Sequence, residues 1–288
     1  MLLQLTLSGI AQGSIYALLA LGMTLLFRAT TVVNFGYGEM FMAGAFTVYV
    51  LLQIGMPFAV SALGAVAFLF LVGMVLERGL MRPLQNSPHM ALAMMTVAFS
   101  FLFRGIARLL FGGEFQPMPP IFSFPPLELG GVIVTAQDLI IAGITLATVL
   151  LFFVLFNKTR LGKLAQAVSQ APRGAALVGI NVPFFESAMW GVGAALGAIA
   201  GILVAPITLL YPDMGAQVLL KSFAAMTLGG FGHFGGAVIG GLLVGLIEQL
   251  AGGYISTAMI DISALLVIVI VLLVSPNGLL GKREYVRV

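Results

Sequence analysis

Apolar residues fall into nine stretches along the chain, separated by short polar segments or by segments rich in glycine and proline. Eight are long enough to approach the ~20 residues that a transmembrane helix needs. The eight are Leu5–Phe27, Gly38–Ile54, Phe58–Leu76, Ala91–Phe111, Leu139–Phe156, Ser187–Pro206, Ala237–Gly252 and Met259–Val274. The ninth, Val218–Leu228, is short and is predicted to be a broken, re-entrant or compressed helix. The pattern predicts an all-α, polytopic membrane helical bundle with eight to nine crossings.

The composition excludes a water-soluble globular protein. Of the 288 residues, 60% are hydrophobic and 8% are charged, and the mean hydropathy is +1.13. A soluble domain carries about 25% charged residues, so this chain lacks the groups to cover a surface that faces water. No linker or shift in composition divides the sequence, which predicts one transmembrane domain over residues 1–288.

Basic residues lie in alternate loops, which predicts the orientation of the chain. Ten of the 13 Lys and Arg residues follow this pattern, namely Arg28, Arg78, Arg82, Lys158, Arg160, Lys163, Arg173, Lys282, Arg283 and Arg287. The intervening loops Gly112–Asp138, Ile207–Gln217 and Gly253–Ala258 contain no Lys or Arg. Because cytoplasmic loops retain basic residues, we expect the N-terminus outside and the C-terminus inside. This orientation needs an odd number of crossings and favours Val218–Phe231 crossing inward. The positions of the basic residues thus account for the net charge of +3, and we expect no nucleic-acid partner.

The loop Gly112–Asp138 is predicted to be non-helical because it is rich in proline, which fixes φ and removes a backbone donor. Its prolines are Pro117, Pro119, Pro120, Pro125 and Pro126. We expect an extended cap on the outer surface.

Residue patterns for catalysis and cofactor binding are missing from the sequence. Gly162-Lys163 and Gly281-Lys282 lack the spacing of a phosphate-binding loop, and no G-x-S-x-G element occurs. Cysteine is absent, and the two histidines, His89 and His233, are far apart. We expect no catalytic residues, no metal and no cofactor.

Charged residues inside the apolar stretches are candidates for a transport pathway, since burying one in a membrane costs ~2.5–3.5 kcal/mol on insertion scales. The candidates for the pathway are the charged residues Glu39, Arg104 and Glu248, together with the polar Asn34 just before the second stretch; Arg108 and Lys221 also lie within or beside apolar stretches. Simpler roles remain open for them. Arg108 can extend towards water, and Glu39 can favour a helix N-terminus.

Glycines recur every four residues in two of the stretches. One set is Gly193, Gly197 and Gly201; the other combines the pairs Gly236/Gly240 and Gly241/Gly245. Such spacing allows close helix packing in membranes. Packing within one subunit and packing between subunits both remain open.

The loop Asn157–Pro183 differs from every other loop. It carries four cations, a run of small residues over Leu164–Gln170, Pro172, and a second run over Ala175–Ile180. A short amphipathic helix here suits either docking onto a soluble partner or lying on anionic lipid.

Four segments resemble signatures of permeases of the branched-chain, or hydrophobic, amino acid ABC importers. They are GSIYALLALGMTLLFRATTVVNFGYGEMFMAGAF (Gly13–Phe46), TRLGKLAQAVSQAPRGAALVGIN (Thr159–Asn181), KSFAAMTLGGFGHFGGAVIGGLLVGLIEQL (Lys221–Leu250) and SPNGLLG (Ser275–Gly281). Their order is that of the family, and the chain resembles the shorter of its two permeases. The resemblance implies a multi-pass protein of the bacterial inner membrane.

The resemblance also implies partners. They are a second permease subunit, two ATP-binding subunits, a periplasmic substrate-binding protein and membrane lipid. The loop 157–183 would contact the ATPases, with a coupling helix near Ala165–Leu177. Its implied contact residues are Gly162, Lys163, Ala165, Arg173, Ala175, Ala176 and Gly179.

Two alternatives and the identity of the substrate stay open. An ion-coupled secondary transporter would use Glu39 or Glu248 as its ion site, and a membrane scaffold would use neither. Permeases with this resemblance serve branched-chain amino acids, urea, short amides and aromatic or other carboxylates. No charged clamp in the sequence chooses among them.

Overall fold

The structure, a computed structural model, describes residues 1–119, 127–129 and 132–281, and it is a helical bundle. The helices are α1 (Leu2–Thr30), α2 (Tyr37–Gln53), α3 (Phe58–Leu76), α4 (His89–Phe111), α5 (Ala136–Lys158), α6 (Arg160–Gln170), α7 (Pro172–Leu177), α8 (Val182–Thr208), α9 (Met214–Gly229), α10 (Phe234–Tyr254) and α11 (Met259–Val274). A π-helical turn (Glu77–Met81) and a 3₁₀ turn (Arg82–Leu84) follow α3, and β1 (Leu127–Leu129) pairs antiparallel with β2 (Val132–Val134).

The predicted fold class is confirmed, since each apolar stretch is almost entirely helical. Within the described residues, six helices are long and apolar enough to cross a membrane, namely α1, α3 with its following turns, α4, α5, α8 and α10. The helices α2, α9 and α11 are shorter, with 17, 16 and 16 residues. The number of crossings therefore stays a prediction.

Two helices form the centre of the bundle. In α1 and α8, 83% and 78% of the most apolar 18-residue window is buried, against 22–28% in α3, α4 and α5. The exposed side chains of the outer helices are large and apolar, for example Leu71, Leu109 and Leu273. Such surfaces suit lipid and identify the outer helices as the lipid-facing layer.

The glycine repeats pack inside this chain. A β-carbon on Gly241 would meet the backbone of Ala17, and one on Gly245 would meet the backbone of Gly13. In the same way, Gly201 of α8 lies against the carbonyl of Phe41 in α2. Of the two alternatives for these repeats, the contacts show close packing within the subunit. The helix backbones approach each other there because glycine has no side chain.

Contacts between helix ends divide the loops between two ends of the bundle. The Arg28 Nε donates to the carbonyl of Gly232 at 2.6 Å, an Arg82 amino group donates to the carbonyl of Pro183 at 2.7 Å, and the Phe156 and Phe234 rings lie 4.7 Å apart. These contacts place the C-terminal ends of α1, α3 and α5 and the N-terminal ends of α8 and α10 at the same end of the bundle. We call this the basic end, because Arg28, Arg78, Arg82, Lys158, Arg160, Lys163 and Arg173 all lie there. Lys282, Arg283 and Arg287 lie outside the described residues.

The opposite end carries the loop predicted to be an extended cap. The backbones of Gln116 and Leu210 pair at 2.8 and 2.9 Å, which joins the segment after α4 to the segment after α8. The described part of the loop is non-helical between Gly112 and Thr135, as expected, and it includes the short β1–β2 hairpin. Pro120, Pro125 and Pro126 lie outside the described residues.

The segment Ser275–Gly281 closes the basic end of α9. The backbone N–H groups of Leu279 and Leu280 donate to the carbonyls of Leu228 and Gly229 at 2.8 and 3.2 Å. Gly278 has a φ of 74°, and a β-carbon there would overlap the backbone of Gly230. The segment thus donates hydrogen bonds to carbonyl groups that have no partner within the helix at its C-terminal end. Gly278 permits this close approach because it has no side chain.

Candidate functional site

The helix α2 begins inside the bundle and not at its surface. The Tyr37 hydroxyl donates to the carbonyl of Gly193 at 2.9 Å, and Gly193 lies about 16 Å along α8 from Val182 at 1.5 Å per residue. The preceding segment is therefore irregular backbone at membrane depth, which must satisfy its own polar groups. The Asn34 Oδ1 accepts from the Gly36 N–H at 2.9 Å, and the Thr96 hydroxyl accepts from the Phe35 N–H at 3.1 Å.

Glu39, in the first turn of α2, is buried in an ion pair with Arg104 of α4. The Glu39 Oε1 accepts from the Arg104 Nε at 2.7 Å and from the Ser100 hydroxyl at 3.0 Å. An Arg104 amino group also lies 3.8 Å from the Asp213 Oδ1. The other carboxylate oxygen, Asp213 Oδ2, is paired with an Arg108 amino group at 2.6 Å. This cluster links α2 and α4 to the segment that starts α9. Two of the pathway candidates, Glu39 and Arg104, are thus brought together.

Asn34 lies near this cluster in the chain but outside its ion pairs. Its side chain is 1% exposed, and within the described part of the chain its Nδ2 has no hydrogen-bond partner; the same holds for the Glu39 Oε2. Buried polar atoms without partners are uncommon in proteins. They mark the start of α2 as a place where water or a solute can complete the hydrogen bonding.

The fourth pathway candidate, Glu248 of α10, belongs to a separate cluster around α9. The Lys221 Nζ donates to the Glu248 Oε1 at 2.6 Å and lies 3.9 Å from an oxygen of Asp261 in the first turn of α11. The same nitrogen lies 5.8 Å from the centre of the Tyr16 ring, whose hydroxyl accepts from the Gln12 amide at 2.8 Å. The four pathway candidates therefore fall into two groups, one at the start of α2 and one around Lys221 of α9.

Tyr211 lies between α8 and α9, at the start of the exposed side of α9. Its hydroxyl donates to the Gln217 side-chain oxygen at 3.2 Å. Burial and, after it, the charge of Asp213 raise the pKa of the Tyr211 phenol. The hydroxyl therefore keeps its proton at neutral pH and remains a donor.

A third buried charge, Glu77, was missed by the sequence analysis. It accepts from the Arg82 Nε at 3.1 Å and from an Arg82 amino group at 2.6 Å, and the Ser187 hydroxyl donates to it. The spacing of five residues is that of a π-helix, which is the conformation of Glu77–Met81. Because Glu77 also accepts from Ser187 and Arg82 also donates to the Pro183 carbonyl, this ion pair links the end of α3 to the start of α8. It lines a cavity of about 220 Å³ together with Trp190 and Glu186.

The loop at residues 157–183 forms two short helices at the basic end. The Thr159 hydroxyl accepts from the Gly162 N–H at 3.1 Å and caps α6, and the Gln166 amide donates to the carbonyl of Phe156 at 2.6 Å. The buried side of α6 repeats every three residues, at Gly162, Ala165 and Val168. This loop is therefore seated on α5 and α8.

The predicted coupling residues divide into two groups. Gly162, Ala165 and Ala175 are buried against the bundle, whereas Lys163, Arg173, Ala176 and Gly179 are exposed. The coupling helix expected near Ala165–Leu177 is divided at Ala171 into α6 and α7, and α7 ends at Leu177, two residues before Gly179 with its φ of 84°. Leu177 and Val178 are 89% and 76% exposed. The exposed group, with Leu177 and Val178, forms what we call the docking surface.

Comparison with known proteins decides the family. Residues 5–275 match the family described as branched-chain amino acid transport system, permease component. The chain belongs to this family. The resemblance stated from the sequence is confirmed, and the alternative of an ion-coupled secondary transporter gains no support.

Relatives in this family align over almost the whole chain. The chain is 28% identical to the high-affinity branched-chain amino acid transport system permease protein LivH of Escherichia coli, over 99% of this chain and 97% of LivH. It is 27% identical to the permease protein BraD of Pseudomonas aeruginosa, over 99% and 98% of the two chains. A solved structure, PsaBC of Streptococcus pneumoniae in complex with a Fab, matches with a TM-score of 0.52 at 14% identity. That match covers 94% of this chain and 91% of that one and supports the fold alone.

Proposed function

We propose that this permease is half of the pore of an ATP-driven importer that moves branched-chain or other hydrophobic amino acids into the cytoplasm. The observation that carries the proposal is the match to the branched-chain amino acid permease family over residues 5–275. The whole chain, residues 1–288, acts as one permease domain. It hydrolyses nothing itself, and ATP is hydrolysed on two partner subunits.

The docking surface is where the force of ATP hydrolysis enters the permease. Its exposed apolar side chains, Leu177 and Val178, stand at the basic end beside the cations Lys163 and Arg173. Exposed apolar side chains suit contact with a protein or a membrane, and for a protein partner the cations add orientation by pairing with acidic groups. The buried residues Gly162, Ala165 and Ala175 carry the movement into α5 and α8.

The remaining partners follow from the same function. A second permease subunit supplies the other half of the pore, and a periplasmic binding protein delivers solute at the end opposite the basic end. The protein resides in the bacterial inner membrane, with the basic end in the cytoplasm because basic loops are retained there. The N-terminus is then outside and the C-terminus inside.

The test is uptake of radiolabelled leucine into vesicles that contain the permeases, with and without the ATP-binding subunits and ATP. We expect uptake that requires ATP, both permeases and the binding protein. Uptake driven by an ion gradient in the absence of ATP-binding subunits would instead establish the secondary transporter. Ligand binding to the cognate binding protein, measured by calorimetry across amino acids, amides and carboxylates, tests the substrate class.

A further inference from the structure

A groove of about 340 Å³ runs between α5 and α8 in the half of the bundle next to the basic end. Aromatic rings of α3, α5 and α8 form much of its wall, namely Phe70, Phe152, Phe156, Phe184 and Phe185. Gly162 and Ala165, on the buried side of α6, also line it. So does Leu25 of the central helix α1, which is 2% exposed. We call this the α5–α8 groove.

The α5–α8 groove lies at membrane depth and is open to its surroundings. Both α5 and α8 are long and apolar enough to cross a membrane. On α8 the lining residues extend from Phe184 to Val192, a length of about 12 Å at 1.5 Å per residue. At the edge of the groove, Leu155, Leu161 and Phe184 are 50%, 67% and 46% exposed. An open apolar lining at this depth fits a hydrocarbon chain.

Two cations flank Thr159, which lines the groove where α5 ends. Lys158 is the last residue of α5 and Arg160 is the first residue of α6, and both are exposed. No ion pair in the described part of the chain includes either of them. The first turn of α6 contains no acidic side chain, so the positive end of the helix dipole adds to the same charge. The groove therefore combines an apolar lining with unneutralised positive charge at one end.

A second groove of the same volume, about 340 Å³, provides a comparison. It lies between α2, α3 and α4 and is also lined by apolar side chains, and we call it the α2–α4 groove. Arg104 and Arg108 each follow one of its lining residues in the chain. Unlike Lys158 and Arg160, these two cations are neutralised by ion pairs, with Glu39 and Asp213. Free positive charge thus distinguishes the α5–α8 groove from a groove of similar size and lining.

We propose that the α5–α8 groove binds an anionic phospholipid, with an acyl chain in the groove and the phosphate between Lys158 and Arg160. The acyl chain adds little preference, because the tails of the surrounding bilayer are as apolar as the groove. The two cations supply the preference for a negative headgroup, each contributing about fivefold. The acyl chain packs against Gly162 and Ala165, on the side of α6 that faces the bundle. The docking surface, formed by exposed residues, stays free for a protein.

The first test compares two photoreactive lipids in the assembled transporter, held in nanodiscs of phosphatidylcholine. Phosphatidylglycerol and phosphatidylcholine, each with a diazirine in the same acyl chain, are added in trace amounts, and cross-linked peptides are measured by mass spectrometry. At the α5–α8 groove, phosphatidylglycerol should cross-link about 25-fold more than phosphatidylcholine. The α2–α4 groove is the matched control and should cross-link both lipids equally. Equal yields at both grooves would show ordinary bilayer contact and overturn the proposal.

The second test removes the positive charge. Lys158→Gln combined with Arg160→Gln should lower phosphatidylglycerol cross-linking at the α5–α8 groove to the level of phosphatidylcholine, and each single variant should lower it about fivefold. The exchange Lys158→Arg with Arg160→Lys should retain the preference. Arg78→Gln is the matched control, because Arg78 is an exposed cation at the basic end whose chain neighbours do not line the groove. An equal loss in Arg78→Gln would indicate a general surface potential and refute a specific site.

The third test asks whether the two cations serve a protein instead of a lipid. The ATP-binding subunits should co-purify normally with the double glutamine variant, because Lys158 and Arg160 lie outside the docking surface. Loss of these subunits with an unchanged lipid preference would assign the two cations to a protein contact and overturn the proposal. The single variants keep the test decisive if the double variant does not insert, since each retains one cation at the basic end. An unchanged lipid preference in both inserted single variants would also refute the site.

Discussion

Gly38 of α2 and Gly215 of α9 lie backbone against backbone, so that a β-carbon on either one would overlap the carbonyl oxygen of the other. The contact has an electrostatic consequence. Glu39 follows the first glycine and Asp213 precedes the second by two residues, so the close approach places both acids within reach of Arg104. The two glycines thereby set the distance between the start of α2 and the start of α9.

Gly38→Ala should destabilise the protein by about 1–3 kcal/mol, the usual effect of forcing extra volume into a tight contact. Gly143→Ala is the matched control, because Gly143 is also in a helix but has nothing within 4 Å of its added β-carbon. Thermal unfolding in detergent, followed by the fluorescence of the single tryptophan, Trp190, measures the difference. Equal unfolding midpoints for the two variants would show that the α2–α9 contact relaxes without cost.

Glu39→Gln should lower uptake about tenfold, equivalent to ~1.4 kcal/mol, while leaving assembly intact. The amide keeps a hydrogen bond but no longer neutralises Arg104, which retains Asp213 at 3.8 Å as a weaker partner. The measurement is leucine uptake per unit of permease in the membrane. Glu114→Gln, at an exposed glutamate in the loop after α4, is the control and should transport normally. Normal uptake by Glu39→Gln would reduce Glu39 to a residue that favours the start of α2.

The helices could be predicted from the sequence because hydrophobicity along the chain is a local property. Each apolar stretch is almost entirely helical, and even the short stretch Val218–Leu228 lies inside α9. The partners of the buried charges could not be predicted in this way. Glu39 and Arg104 are 65 residues apart, and Lys221 and Glu248 are 27 apart. Their pairing depends on which helices pack together, and the hydrophobic pattern of the sequence does not specify which helices are neighbours.

Local conformation limited the prediction in one further place, and tertiary burial limited it in another. The Glu77–Arg82 pair needs a π-helical turn, whereas an α-helix would bring together residues three or four apart. In the loop at residues 157–183, all the small residues look alike in the sequence. Only the tertiary structure separates Ala175, which is 4% exposed, from Ala176, which is exposed.

Single cysteines should establish the orientation of the bundle. Gln170 lies at the basic end and Ser256 in the loop between α10 and α11, and both are exposed. In right-side-out vesicles, an impermeant maleimide should label Ser256→Cys at once and Gln170→Cys only after permeabilisation, because basic loops are retained inside. The reverse order of labelling would invert the topology and place the docking surface outside the cell.

Ala176→Trp should abolish uptake and reduce co-purification of the ATP-binding subunits, without preventing insertion of the permease. Ala176 is exposed on α7 next to Leu177, so a tryptophan there adds bulk only where a partner seats. Ala175→Trp is a weaker test of docking, since Ala175 is buried and the large side chain would also disturb the loop itself. Ala258→Trp, an exposed alanine at the opposite end of the bundle, is the control and should leave both properties unchanged.

The two interpretations of the loop predict opposite results for Ala176→Trp. If α7 rests on lipid headgroups, the tryptophan suits the interface, and both uptake and co-purification persist. If α7 seats in a cleft of the ATPase, the tryptophan prevents close contact, and ATP hydrolysis no longer responds to solute delivered by the binding protein. Leu177→Ser separates the two further, because it removes an apolar side chain without adding bulk. Docking predicts weaker co-purification, in proportion to the lost apolar area. Full uptake and co-purification in both variants would remove the coupling role from this surface.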